Sequence, residues 1–75
     1  MKTMKRIYKK SDMVVWEDEK NTRNNCHFYS LGEYNWIAVV TIDDLNTTIG
    51  EYSSRNYAFR MLQIAMEKLD YTIEL

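Results

Sequence analysis

Residues 50–69 read GEYSSRNYAFRMLQIAMEKL, and this stretch decides the fold because it predicts a strand end, a turn and one amphipathic helix. Apolar residues recur there every three or four positions, which places their side chains on one stripe of a helix. The stripe consists of Ala58, Met61, Leu62, Ala65 and Leu69, widened by Tyr57 and Ile64 on one side and by Phe59 and Met66 on the other. A broad apolar face of this kind predicts a helix that covers a sheet.

Both ends of this helix carry local signals. Ser53 or Ser54 is expected to be the N-cap, because a hydroxyl accepts a hydrogen bond from a backbone N–H two or three residues further on. Arg55 falls in the first turn, where the helix dipole disfavours a cation. Asp70 is expected to begin a return to extended chain, and residues 71–75 alternate like a short last strand.

The chain before the helix predicts short strands separated by turns. Strands are expected over residues 5–9, with Ile7 inward, and over 13–16, 27–31, 36–42 and 47–52. Residues 43–46 are expected to form a four-residue hairpin loop, a length usually built on a type I turn. The expected fold class is α+β: a small antiparallel sheet of four to five short strands, one C-terminal amphipathic helix packed on one face, and a short last strand.

The composition is that of a single small globular domain. The chain has 75 residues, of which 45% are apolar and 28% charged, values ordinary for a soluble protein. The single Cys26 excludes an internal disulfide, which suits a reducing cytoplasm. No apolar run long enough for a signal peptide or a membrane span is present, so no membrane partner is expected.

The strongest strand, residues 36–42, is apolar on both faces. Trp36, Ala38, Val40 and Ile42 alternate with Ile37, Val39 and Thr41. One helix covers one face of a sheet, so the second face is either a partner site or closed by sheet curvature or by the N-terminal arm. The candidate partner-binding residues of this second face are Tyr29, Tyr34, Ile37 and Val39.

No residue pattern predicts catalysis, a cofactor or a metal. Cys26 and His27 are the only Cys and His, whereas a zinc site needs about four ligands. No arrangement orients His27 as a base toward a nucleophile, and no Gly-rich phosphate loop exists. The sequence therefore predicts a protein that is not an enzyme.

The strand–helix corner, IGEYSSRNYAFRMLQIAMEKL, resembles a set of small uncharacterised proteins of phages and prophages of low-GC Gram-positive bacteria. Their corner reads Gly-x-Tyr-Ser-(Ser/Thr)-Glu-Glu-Arg-Ala, and Gly50, Tyr52, Ser53, Ser54 and Ala58 match it. Arg55 and Asn56 replace the two acids, and Tyr57 replaces the Arg. The resemblance covers about a quarter of the chain and implies fold, phage origin and the host cytoplasm more than activity. Many phage proteins of this size bind and block a host defence complex, as anti-CRISPR proteins do, which is an analogy.

Three functions follow from these surfaces. The first is an inhibitor that binds a host protein complex, with Glu17, Asp18, Glu19, Asp43 and Asp44 mimicking phosphates toward a nucleic-acid enzyme. The second is a nucleic-acid-binding accessory protein that uses the basic arm, where residues 1–10 hold five cations and no acid, with Tyr8 and Trp16 stacking on bases. The net charge of −1 disfavours it. The third is a homodimer that buries the second sheet face against itself.

Overall fold

Five strands, one helix and a sixth strand follow one another along the chain. The computed structural model describes residues 2–74. The elements are β1 (Lys2–Lys10), β2 (Met13–Asp18), β3 (Asn25–Gly32), β4 (Asn35–Ile42), β5 (Leu45–Tyr52), α1 (Arg55–Lys68) and β6 (Tyr71–Ile73).

All strands belong to one curled sheet in the order β5-β4-β3-β2-β1-β6. The first five strands form an antiparallel meander, because short turns join each to the next. Helix α1 then carries the chain from the β5 edge to the opposite edge, where β6 pairs parallel with β1. A parallel pair needs such a crossover. The predicted α+β class, the antiparallel strands before a single helix, and the short last strand are confirmed; the parallel pairing of the last strand with β1 was not predicted.

The core lies between α1 and the sheet face that α1 covers, here called the inner face. Strand alternation sends every second side chain of β2, β3 and β4 to this face. The buried core residues are Met4, Val14, Trp16, Cys26, Phe28, Trp36, Ala38, Val40, Ala58, Leu62, Met66, Tyr71 and Ile73.

The helix is rotated relative to the predicted stripe. Ala58, Leu62 and Met66 are its buried residues, and the ring of Phe59 stacks on Trp16 with centroids 5.4 Å apart. Leu69 was predicted to lie in the apolar stripe, and Tyr57 and Ile64 were predicted to widen it. These predictions are wrong because all three side chains are exposed. Aromatic rings of β2 and β3 lie on the Phe59 side of the helix and decide which side is buried.

The helix begins and ends through its own capping residues. Ser54, the second of the two candidates, has extended backbone angles, and its Oγ accepts a hydrogen bond from Tyr57 N at 3.1 Å. Asp70 lies in the left-handed region with φ 67°, and its N–H donates to Glu67 O at 3.0 Å. Asp tolerates this region better than most residues do, which lets the chain leave the helix without a Gly.

Strand β1 is longer than predicted, and Ile7 does not point inward. The register with β2 shifts between Arg6 and Tyr8, so Ile7 is the extra residue of a bulge and is exposed. Met4 is the buried residue of this strand instead.

The hairpin between β4 and β5 has two loop residues, not the predicted four. Asp43 and Asp44 have φ values of 51° and 67°, as a type I′ turn requires. This turn matches the twist of the two flanking strands, whereas a type I turn would splay them. Pairing therefore continues to Leu45 opposite Ile42.

Candidate interaction surfaces

The sheet face opposite α1, here called the outer face, carries an apolar row across its three central strands. Its residues are Met13 and Val15 on β2, His27 and Tyr29 on β3, and Ile37 and Val39 on β4. The only helix within residues 2–74 packs on the inner face. Among the described residues, no helix covers the outer face.

Neighbouring side chains shield this row unequally. Val39 is only 7% exposed although it lies outside the core cluster, whereas Tyr29 and Ile37 are half-buried. The rings of His27 and Tyr29 stack with centroids 5.8 Å apart. Burial lowers the pKa of His27, which keeps the imidazole neutral at pH 7 and the row uncharged. Tyr34 is 76% exposed, but it lies in the turn between β3 and β4 rather than in the row.

The acidic residues proposed as phosphate mimics are partly paired with cations. Glu17 lies on the outer face opposite Lys5, and Glu19 contacts the Lys5 Nζ at 3.7 Å. At the hairpin, Asp44 Oδ2 accepts from Arg23 Nε at 2.9 Å. Cations already compensate part of this negative charge.

Asp18 is buried and is not available to a partner, which corrects its assignment as a partner-binding residue. Its side chain lies on the inner face and is buried. Tyr71 Oη donates to Asp18 Oδ2 at 2.7 Å, and Lys20 N donates to Asp18 Oδ1 at 2.9 Å. Asn24 Nδ2 donates to Tyr71 Oη at 2.9 Å. The carboxylate therefore joins the end of β2 to β6 and has a structural role.

These hydrogen bonds predict how stability depends on pH. The bond from Tyr71, followed by that from Lys20 N, holds the pKa of Asp18 below its ordinary value of 3.8. Because the folded-state pKa is the lower one, the ionised group stabilises the fold above about pH 4, and this contribution is lost as the pH falls through the folded-state pKa. Urea unfolding measures the free energy of unfolding at about pH 6 and at about pH 3. We expect this free energy to fall less for Asp18→Asn than for the wild type. The exposed Asp12→Asn is the control, and equal acid loss in Asp18→Asn and the wild type would contradict the role of Asp18.

Cys26 and His27 point to opposite faces of β3, so they cannot share a ligand. Burial raises the pKa of the Cys26 thiol to about 12, which keeps it protonated and unreactive. Within residues 2–74, no group of three or more His, Cys, Asp and Glu side chains could hold a metal ion.

A second surface, which the sequence did not reveal, is a cleft on the inner face beside the first turns of α1. We call it the basic cleft; it is lined by Arg6, Lys9 and Arg55 over Val14, Trp16, Phe28 and Phe59. The sequence feature that pointed toward this cleft was Arg55, a cation in the first turn of the helix.

The alternative function, nucleic-acid binding through a basic arm, required Tyr8 and Trp16 to stack on bases. Trp16 is not available for stacking, because it is 3% exposed and its Nε1 donates to Glu74 O at 2.7 Å. Residues 2–10 are likewise not a free arm, since they form the paired strand β1.

No family model matches the chain, and neither curated proteins nor solved structures match it. Within residues 2–74, no helix is long and apolar enough to cross a membrane. The fold is that of a small α+β domain.

Proposed function

We propose that the protein is a non-enzymatic protein-binding module that binds its partner through the outer face. The observation that supports this is the apolar row on β2, β3 and β4, which lies opposite the only helix of the described chain. The row is only partly shielded from solvent, and contiguous apolar surface with aromatic members is typical of protein contact sites. Polar residues flank the row, with Glu17 at one end of β2 and Glu51 paired to Ile37.

The partner we propose is a host defence complex of CRISPR type that acts on nucleic acid, blocked by this protein in the bacterial cytoplasm. The strand–helix corner with Gly50, Tyr52 and Ser54 supports a phage origin through its resemblance to phage proteins. Glu17, Glu19, Asp43 and Asp44 remain near the surface and supply negative charge toward a basic groove. A homodimer that buries the outer face is the competing use of the same surface.

Ile37 is the best position at which to test the outer face. A charge at Val39 would be buried and would threaten the fold. Ile37 is half-buried and lies opposite Glu51, so Ile37→Lys gains an opposite charge across the strands. Ile64→Lys is the matched control, because Ile64 is 37% exposed on the helix, away from the outer face.

We expect Ile37→Lys to weaken partner binding by at least about tenfold while leaving the domain folded, the effect of disrupting one contact worth about 1.4 kcal/mol. The measurement is capture from a lysate of a CRISPR-bearing low-GC Gram-positive host, followed by mass spectrometry and by a plaque assay under CRISPR targeting. Wild type and Ile64→Lys should capture the defence complex and restore plaques, and Ile37→Lys should do neither.

Sedimentation distinguishes the competing uses. A dimer at micromolar concentration that Ile37→Lys dissociates would assign the outer face to self-association. Equal capture and plaque counts for all three proteins would overturn the use of the outer face.

A further inference from the structure

The basic cleft brings together three cations, and no acid among the described residues forms an ion pair with them. Arg6 and Lys9 come from β1 and Arg55 from the start of α1. The ion pairs within residues 2–74 involve Lys5 and Arg23, and neither lines the cleft. No Asp or Glu is among the lining residues. Three like charges around one cleft repel one another, and a bound anion would relieve this repulsion.

Arg55 lies in the first turn of α1, where it does not stabilise the helix. The first turn holds no acid, and a cation there opposes the helix dipole. Arg55 is half-buried, with its Cζ 5.4 Å from the centroid of the Phe28 ring. This contact orients the guanidinium at the wall of the cleft.

The floor and the size of the cleft restrict the ligand. The floor is apolar and aromatic, and Phe59 is the half-buried ring that a ligand can contact, because Val14, Trp16 and Phe28 are almost fully buried beneath it. The volume is about 190 Å³, below the roughly 300 Å³ at which ordinary ligand pockets begin, so the cleft encloses only part of a ligand. A ligand with one anionic group and one flat ring suits such a site, since guanidinium planes and aromatic rings both stack on nucleobases.

We propose that the basic cleft binds a single nucleotide. Arg6 and Lys9 bind the phosphate, and the base lies against Arg55 and Phe59. A nucleic-acid strand fits less well, because the protein has a net charge of −1 and the ends of β2 and β4 carry acids. This site is separate from the outer face, so it is independent of the proposed protein-binding function.

Neighbouring lysines on β1 provide a matched test. Lys9 pairs with the inward-facing Val14 and lines the cleft, whereas Lys10 pairs with Met13 of the outer face. Lys9→Gln and Lys10→Gln therefore remove the same charge from adjacent residues on opposite faces. Arg55→Gln is the second cleft variant, and thermal unfolding checks that each variant remains folded.

The probes are adenosine 5′-monophosphate, inorganic phosphate, O-phosphotyrosine and a ten-residue oligothymidylate, each titrated at physiological salt and followed by amide chemical shifts. We expect saturable binding of the mononucleotide, tighter than that of phosphate alone, with shifts at Arg6, Lys9, Arg55 and Phe59. Lys9→Gln and Arg55→Gln should each weaken it about tenfold, the first by losing one charge-assisted hydrogen bond to the phosphate and the second by losing one stacking contact with the base. Lys10→Gln should bind as the wild type does.

Four results would overturn the proposal. These are no saturable mononucleotide binding, equal affinity for phosphate and mononucleotide, equal loss in Lys9→Gln and Lys10→Gln, and stronger binding of phosphotyrosine or of the oligothymidylate than of the mononucleotide. The last of these would reassign the cleft to a phosphopeptide or to a nucleic-acid strand.

Discussion

Replacing Leu62 with Ala is expected to lower the free energy of unfolding by about 2–5 kcal/mol, the range for a buried Leu that leaves a cavity. Leu62 is fully buried in the middle of α1, within the core between the helix and the sheet. A domain of this size has roughly 4–11 kcal/mol of total stability, at about 0.05–0.15 kcal/mol per residue. The variant is therefore expected to be partly unfolded at or near 37 °C.

Leu45→Ala is the matched control, because Leu45 is 72% exposed and the substitution removes the same atoms as Leu62→Ala does. Urea unfolding of both variants provides the comparison. We expect the control to change stability by less than about 0.5 kcal/mol, as surface substitutions do. A loss that small for Leu62→Ala would show that the helix packs in another phase.

Replacing Gly50 with Ala is expected to cost about 1–3 kcal/mol, the range for overpacking, although Gly→Ala usually stabilises a strand. A Cβ at residue 50 would collide with the hydroxyl oxygen of Tyr52 and lie 2.6 Å from its Cζ. The ring of Tyr52 cannot retreat freely, because it also packs against Tyr57 with centroids 5.0 Å apart and against the core. The side chain of Tyr52 therefore requires Gly two residues before it.

Gly32→Ala is the control, since a Cβ there would meet no atom within 4 Å. Thermal unfolding should show a lower midpoint for Gly50→Ala and an unchanged or higher one for Gly32→Ala. In the Tyr52→Ala background, Gly50→Ala should lose most of its cost, because the two residues interact directly. An equal cost in both backgrounds would mean that the contact with Tyr52 is not the cause.

The close approach of the Tyr52 ring to Gly50 explains why the strand–helix corner has the pattern Gly-x-Tyr-Ser. Gly50 accommodates the Tyr52 ring, and Ser54 caps the helix through the N–H of Tyr57. The corner thus fixes where β5 ends and where α1 begins. Its residues explain the fold rather than an activity.

Local features of the chain could be predicted from sequence because they depend on backbone geometry alone. Alternation along residues 36–42 predicted the two apolar faces of β4, and both are present. The helix, its Ser cap and the last strand followed from periodicity and capping chemistry over a few residues. The candidate residues Tyr29, Ile37 and Val39 were correctly predicted to share the second face.

Other features depend on contacts between residues far apart in the chain, which no local pattern encodes. The helix buries Met66 rather than Ile64 because the rings of Trp16 and Phe28 lie on that side. Asp18 is buried because Tyr71, 53 positions later, donates a hydrogen bond to it. The basic cleft joins residues of β1, β2, β3 and α1, which come together only in the folded chain. Periodicity states which side chains share a face, but the packing of the whole chain decides which neighbours they meet there.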